Sequence, residues 1–163
     1  MADENNAGTA PAAAQNPQEV MLQNLYVKDA SFEAPNGPNI PADQWNPQFG
    51  LNMNTAGATV AQDMHEVVLT ITLEAKIGDK VAYLVEVKQA GLFLIRGYDL
   101  DQTRQIIGAF CPNVLFPYAR QSVSDLILRG GFPPFLLPPV NFDALFQQSM
   151  AQQAAQQQQA AVN

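Results

Sequence analysis

Few residues of this chain are of the kinds that do covalent chemistry. Its 163 residues include one histidine, His65, and one cysteine, Cys111. A nucleophile needs a base held against it, and a lone imidazole supplies neither a catalytic triad nor a two-histidine metal site. His65 falls at the edge of an alternating segment, on its apolar parity, where a capped structural histidine is expected. Cys111 lies in AFCPN (109–113), among apolar residues and with nothing basic beside it. That setting gives a small buried thiol rather than a reactive thiolate. One cysteine also excludes an internal disulfide and a cysteine-based zinc site. Ser122 and Ser124 have no evident partners, and Asp99 and Asp101 read as loop and cap residues before they read as a carboxylate pair. No phosphate-cradling glycine loop is present. The expectation is therefore no enzyme, no metal and no cofactor.

What remains is chemistry of binding. Asp29 and Glu33 share one strand parity, and Leu84 and Glu86 share the exposed parity of a hairpin. Such a set is either a solvated face or an acidic docking patch for a basic partner. The second unusual feature is FPPFLLPP (132–139), with four prolines in eight residues. It can form neither helix nor central strand, so Phe132, Phe135, Leu136 and Leu137 must bury against the core, another subunit or a bound client. Composition fits binding too. The chain carries 8 basic and 15 acidic residues, a net charge of −7, with 47% apolar residues. That supports a core but disfavours nucleic acid, whose phosphates need cations.

The elements that position these residues follow from periodicity. Met64–Ile77 alternates, with Val67, Leu69, Ile71, Leu73 and Ala75 on one side and Glu66, Thr70, Thr72 and Glu74 on the other. This is a half-buried antiparallel strand. Gly78-Asp79 marks a turn, and a second alternating strand begins at Lys80. A two-residue loop would place Glu86 opposite Ile71 on the apolar face. A loop one residue longer, with Gly78 in the left-handed region, places Tyr83 opposite Leu73 and Val85 opposite Ile71. It also turns Leu84 and Glu86 to the wet face, so burial favours it. Further strands cover Leu25–Glu33, with Tyr26, Ala30 and Phe32 on one side, and Phe49–Asn54. Leu92–Ile95 continues the sheet. The proline-rich segment 34–48 holds the lone Trp45, as a pinned surface loop or as a crossover lining a binding groove. Asp101 can cap a helix that Pro112 ends or kinks, Leu115–Ile127 carries helical spacing, and Asn141 caps a last helix with Phe142. The expected class is α+β: a four-stranded antiparallel sheet with helices packed on one face and a long crossover loop between the first two strands. Residues 1–18 read as a disordered tail, 19–150 as the domain and 151–163 as a Gln/Ala-rich flexible tail. The N-terminus has neither Lys, Arg nor an apolar stretch, so the expected address is cytoplasmic.

YVKDASFEAPN (26–36), the lone Trp45, CPNVLFPYAR (111–120), RGGFPP (129–134) and PVNFDALF (139–146) resemble the signature blocks of the SecB family. These are bacterial protein-export chaperones, and the blocks cover roughly residues 20–150 in family order. The resemblance implies an ATP-independent cytosolic holdase that forms a homotetramer, a dimer of dimers. It would bind unfolded secretory preproteins and hand them to the SecA ATPase. Carried over residue by residue, the SecA-docking positions fall on Asp29, Glu33, Leu84 and Glu86. They receive a basic, zinc-binding tail, so the metal belongs to the partner. Client-groove positions fall on Trp45, Phe132, Phe135 and Phe142. The rival reading is a non-catalytic oligomeric adaptor that holds one folded basic partner on the same acidic face.

Overall fold

The structure, a computed structural model, describes residues 17–160. The remainder of the two expected tails lies outside the described residues. Among the described residues four strands form one antiparallel sheet: β1 (Glu19–Glu33), β2 (Gln48–Ala61), β3 (Met64–Ile77) and β4 (Lys80–Arg96), in the spatial order β1-β4-β3-β2. β1 and β2 are therefore opposite edges, and the segment from 34 to 47 joins them, with a short 3-10 turn at Ala42–Gln44. α1 (Leu100–Gln105), a π-helical segment (Ile106–Phe110) and α2 (Cys111–Arg129) run on without a break, and α3 is Phe142–Ala160.

The alternation of β3 and β4 decides where the helices go. Val67, Leu69, Ile71, Leu73, Tyr83, Val85 and Val87 are wholly buried on one face. Cys111, Leu115, Ala119, Val123 and Ile127 recur every fourth residue along α2 and are also wholly buried, so this ridge lies on that face. At about 25 cal/mol per Å², fully burying each large side chain of this set contributes about 1.5–3 kcal/mol. The β3–β4 pair is thus the packed centre of the described residues.

Four local expectations need correction. The β3–β4 loop is the two-residue Gly78-Asp79 turn, with Ile77 opposite Lys80; the extra residue is a bulge near Ala82. Tyr83 consequently faces Ala75, and Val85 faces Leu73, two residues from the expected register. The parity is as expected, and Gly78 has φ +59°. Tyr26 stands on the outer face, because a bulge between Val27 and Asp29 switches the parity of β1. Buried Gln89 donates from Nε2 to the Tyr26 carbonyl at 2.9 Å, satisfying the backbone beside that bulge. The N-cap of α1 is Asp99 rather than Asp101, in a capping box with Gln102. Finally, Pro112 does not end the helix. The Cys111 N–H reaches back five residues to the Ile106 carbonyl, and this widened turn precedes Pro112, which sits where a missing N–H costs little.

Candidate functional site

The outer face of the sheet gathers the acidic residues. Across β1 and β4, Glu33 faces Leu84, Ser31 faces Glu86 and Asp29 faces Lys88. Across β4 and β3, Leu84 faces Glu74 and Glu86 faces Thr72. Directly opposed residues share a face, so Asp29, Glu33, Leu84 and Glu86 form one cluster on the side away from the helices. The geometry within it is loose and solvent-exposed. Thr72 Oγ1 donates to Glu86 Oε2 at 3.0 Å, and Lys88 Nζ lies 3.5 Å from Glu86 Oε1 and 3.9 Å from Asp29 Oδ2.

Further along the same face the residues turn apolar, with half-buried Val68 and Leu92 and wholly buried Ala90 around Tyr26. Here Tyr26 Oη donates to Glu66 Oε1, and Lys28 Nζ donates to Glu66 Oε2 at 2.6 Å. The Lys28 ammonium first, and the Tyr26 hydroxyl second, hold the Glu66 carboxyl below its ordinary value. The same hydrogen bond raises the Tyr26 phenol.

On the inner face, the helices cover β3 and β4 but leave much of edge strand β2 uncovered. Phe49, Leu51, Met53, Thr55 and Gly57 point inward by register, yet Phe49 and Leu51 stay 42% and 41% exposed. Opposite them stand Phe135, with its ring centroid 4.3 Å from that of Phe49, and then the π-helical segment and α3. Between β2 and α3 opens a groove of about 740 Å³, walled by Met53, Gly57, Ile107, Phe142, Leu145, Phe146 and Met150 and by polar side chains that include Asn54, Arg104, Gln148 and Gln152. Two glycines set its depth. A Cβ on Gly57 would lie 2.4 Å from Ile107 Cγ2, and one on Gly108 would lie 2.3 Å from Phe146 Cδ2. The π-helical segment therefore seats directly on β2, and α3 directly on that segment.

The four aromatic positions carried over by resemblance are placed unequally. Trp45 is half-buried, stacked near Tyr83 and tilted against Phe132, with centroids 6.4 and 5.7 Å away. Phe135 is half-buried beside Phe49. Phe132 and Phe142 are core residues, each 4% exposed; Phe142 packs edge-on against Phe116 and contributes the floor of the groove. The residues that sequence reasoning did not single out are Phe49, Leu51, Met53, Ile107, Leu145, Phe146 and Met150. For β2 the signal was present: apolar residues at inward parity on a strand that the order β1-β4-β3-β2 leaves at an edge. Tyr83 is wholly buried, its hydroxyl without a hydrogen-bond partner among the described residues, and burial pushes its phenol up to about 12. Burial likewise pushes the Cys111 thiol up to about 12. His65 Nδ1 lies 3.2 Å from Thr59 Oγ1 at the strand ends. Among the described residues no cluster of three or more His, Cys, Asp or Glu side chains is arranged to hold a metal ion, and no helix is long and apolar enough to cross a membrane.

Comparison with known proteins agrees with this architecture. Residues 13–153 match the family model described as preprotein translocase subunit SecB. A protein-export protein SecB of Ectopseudomonas mendocina is 51% identical over 150 residues, spanning 92% of each chain. One from Nitrosococcus oceani is 50% identical over 133 residues, spanning 80% of this chain and 81% of its own. Among solved structures, a SecB-like chaperone of Mycobacterium tuberculosis, in complex with a peptide from an antitoxin, superposes with a TM-score of 0.64. It covers 74% of this chain and 90% of its own at 16% identity, a likeness of fold.

Proposed function

The chain belongs to the SecB family of protein-export chaperones, and from that premise we propose how its two sheet faces divide the work. The inner trough along β2 captures unfolded preprotein segments without nucleotide. The outer carboxylate face delivers the loaded chaperone to SecA. The observation that carries this reading is the opposition of the two surfaces on one sheet: exposed Phe49 and Leu51 inward, Asp29, Glu33 and Glu86 outward.

The physics of each face suits its task. Apolar burial is non-directional, so a trough of aromatic and aliphatic side chains accepts many sequences and rejects folded proteins, whose apolar residues are hidden. From Phe49 to Gly57 the strand spans about 27 Å, room for an extended segment of about eight residues. A few hundred Å² of client surface buried there yields several kcal/mol before ordering costs, at about 25 cal/mol per Å². The free backbone edge of β2 adds donors and acceptors that an extended chain can meet. On the outer face, exposed carboxylates attract a basic partner at a rate and strength that salt diminishes.

The proposed working form is a cytoplasmic homotetramer, a dimer of dimers. Val27, Tyr118 and Leu128, each about half exposed, are surfaces that further copies would cover. Four chains would carry 4 × −7 = −28 charges, which keeps an apolar-grooved assembly soluble.

Two substitutions separate the faces. Leu51→Asp puts a charge into the trough at an already exposed position and is expected to weaken suppression of aggregation of a denatured preprotein while SecA binding persists. Glu86→Lys is expected to do the reverse. Loss of both activities in either variant, with the fold intact by circular dichroism, overturns the division of labour.

A further inference from the structure

The acidic face contains a cation of its own. Lys88 stands on β4 two residues from Glu86 and directly opposite Asp29, with its ammonium 3.5 Å from one carboxylate and 3.9 Å from the other. Glu74 similarly has Lys76 at 2.7 Å. Glu33, by contrast, has no ion pair among the described residues. The face is thus graded: one free carboxylate, Glu33, a second, Glu74, paired with Lys76, and a pair, Asp29 and Glu86, that share the Lys88 ammonium.

We propose that Lys88 is an internal counter-ion that sets the specificity of this face for multiply basic partners. The inference rests on the reading of the outer face as the partner-docking surface. A ligand with a single cation can pair with Glu33 but gains little at Asp29 and Glu86, where it only replaces Lys88. A ligand with several cations pairs with Glu33 and then displaces the Lys88 ammonium, whose flexible four-carbon stem lets it swing into water. The side chain is 40% exposed, so the exchange needs no opening of the fold. Apolar client segments carry nothing that competes for these carboxylates. Lys88 therefore narrows docking to ligands of high positive charge density, and lowers the affinity of all of them.

The test compares full-length Lys88→Gln with Lys80→Gln, a lysine of the hairpin end with no ion pair among the described residues, so that both variants change the net charge equally. Affinity for SecA and for a short oligolysine peptide is measured by titration over a range of salt. Removing a unit charge about 6 Å from a docked cation in a highly hydrated setting is worth about threefold in affinity. Lys88→Gln is expected to tighten binding of both ligands about threefold and to steepen the salt dependence, with Lys80→Gln changing little. Asp29→Asn should also cost more affinity in the Lys88→Gln background than in the parent. Equal effects of the two lysine variants, or weaker binding by Lys88→Gln, overturn the proposal while the docking face stands. If Glu33→Gln and Glu86→Gln also leave SecA binding unchanged, the docking reading itself falls and the counter-ion proposal falls with it.

Discussion

Gly108→Ala should loosen the wall of the inner trough, against the usual effect of that substitution. In an ordinary helix, replacing glycine by alanine gains about 1 kcal/mol. At position 108 the new Cβ would lie 2.3 Å from Cδ2 and 2.5 Å from Cε2 of Phe146, with Cγ at 3.3 Å. The clash falls on the Cδ2–Cε2 edge and Cγ is already a tight contact, so turning the ring about its Cβ–Cγ bond relieves only part of it. The ring must retreat by about 1 Å to regain normal contact, and α3 must retreat with it. Overpacking of this kind costs about 1–3 kcal/mol, so the net effect after the helical gain is a loss of up to about 2 kcal/mol. The cost falls on α3 docking rather than on the whole fold, because the β3–β4 core and the α2 ridge do not touch Phe146. Hydrogen exchange should therefore accelerate over α3, with the sheet amides unchanged. Client affinity should fall about three- to tenfold, since Phe146, Leu145 and Met150 form one side of the groove. SecA binding should be unaffected. Gly108→Ala combined with Phe146→Ala should be no worse than Phe146→Ala alone, because the truncation removes the clash. A higher melting temperature with unchanged exchange in α3 would refute the reasoning, by showing that glycine is kept there for no packing reason.

Two further outcomes follow from the perturbed groups. The folded Glu66 carboxyl lies below its ordinary value of 4.5, so its contribution to stability is complete above that value and is lost as pH falls through the folded one; Glu66→Gln should flatten the acid limb of the stability curve near that pH, and an unchanged limb would show that the Lys28 and Tyr26 contacts contribute nothing. Cys111 is wholly buried with its thiol pushed up to about 12; iodoacetamide at pH 8 should leave the native chain unmodified and alkylate it in denaturant, and modification of the native chain would mean that α2 lifts from the sheet.

How much of this was legible in the sequence depends on which quantity burial controls. Alternation fixes parity, because a one-residue slip turns every side chain over. It does not fix phase beyond that. Leu84 and Glu86 were therefore placed on the correct face even though Tyr83 pairs with Ala75 rather than Leu73. The extra residue was absorbed by a bulge at Ala82, not by the turn. In β1 the pattern misled: Tyr26, Ala30 and Phe32 share one parity, but the charged Lys28 stands between them on that same parity, beside apolar Val27, and it marks the bulge that turns Tyr26 outward. The Asp99–Gln102 capping box was present as a D-x-x-Q spacing and lost to Asp101 for want of a periodic residue to anchor the helix start. Pro112 read as a breaker because a widened helical turn leaves no trace in composition. FPPFLLPP offered no period at all, so the burial of Phe132 and Leu137, and the exposure of Leu136, depended on a partner surface that only the tertiary structure supplies.

The separation of the two faces has a physical origin in the strand itself. Glu86 points outward between Val85 and Val87, which are wholly buried inward, so the proposed docking face and the core alternate along one stretch of β4. A partner on the outer face could alter the inner face by shifting strand register, but a shift of one residue would bring Val67, Leu69, Ile71 and Leu73 into water. At about 1.5–3 kcal/mol for each such side chain, that cost exceeds what a few screened surface ion pairs return. The β3–β4 pair consequently keeps its register, as a plate, when either face is occupied. The parts of the inner trough free to respond are those outside the plate: edge strand β2, the crossover with Trp45, and α3 on its glycine seat. On the proposed division of labour, client affinity is adjustable there without disturbing the carboxylates, and a basic partner is held by the carboxylates without melting the trough. Substitutions on either side of the plate are for this reason expected to act independently, whereas substitutions within it, such as Val85→Asp, should abolish both activities by unfolding the chain.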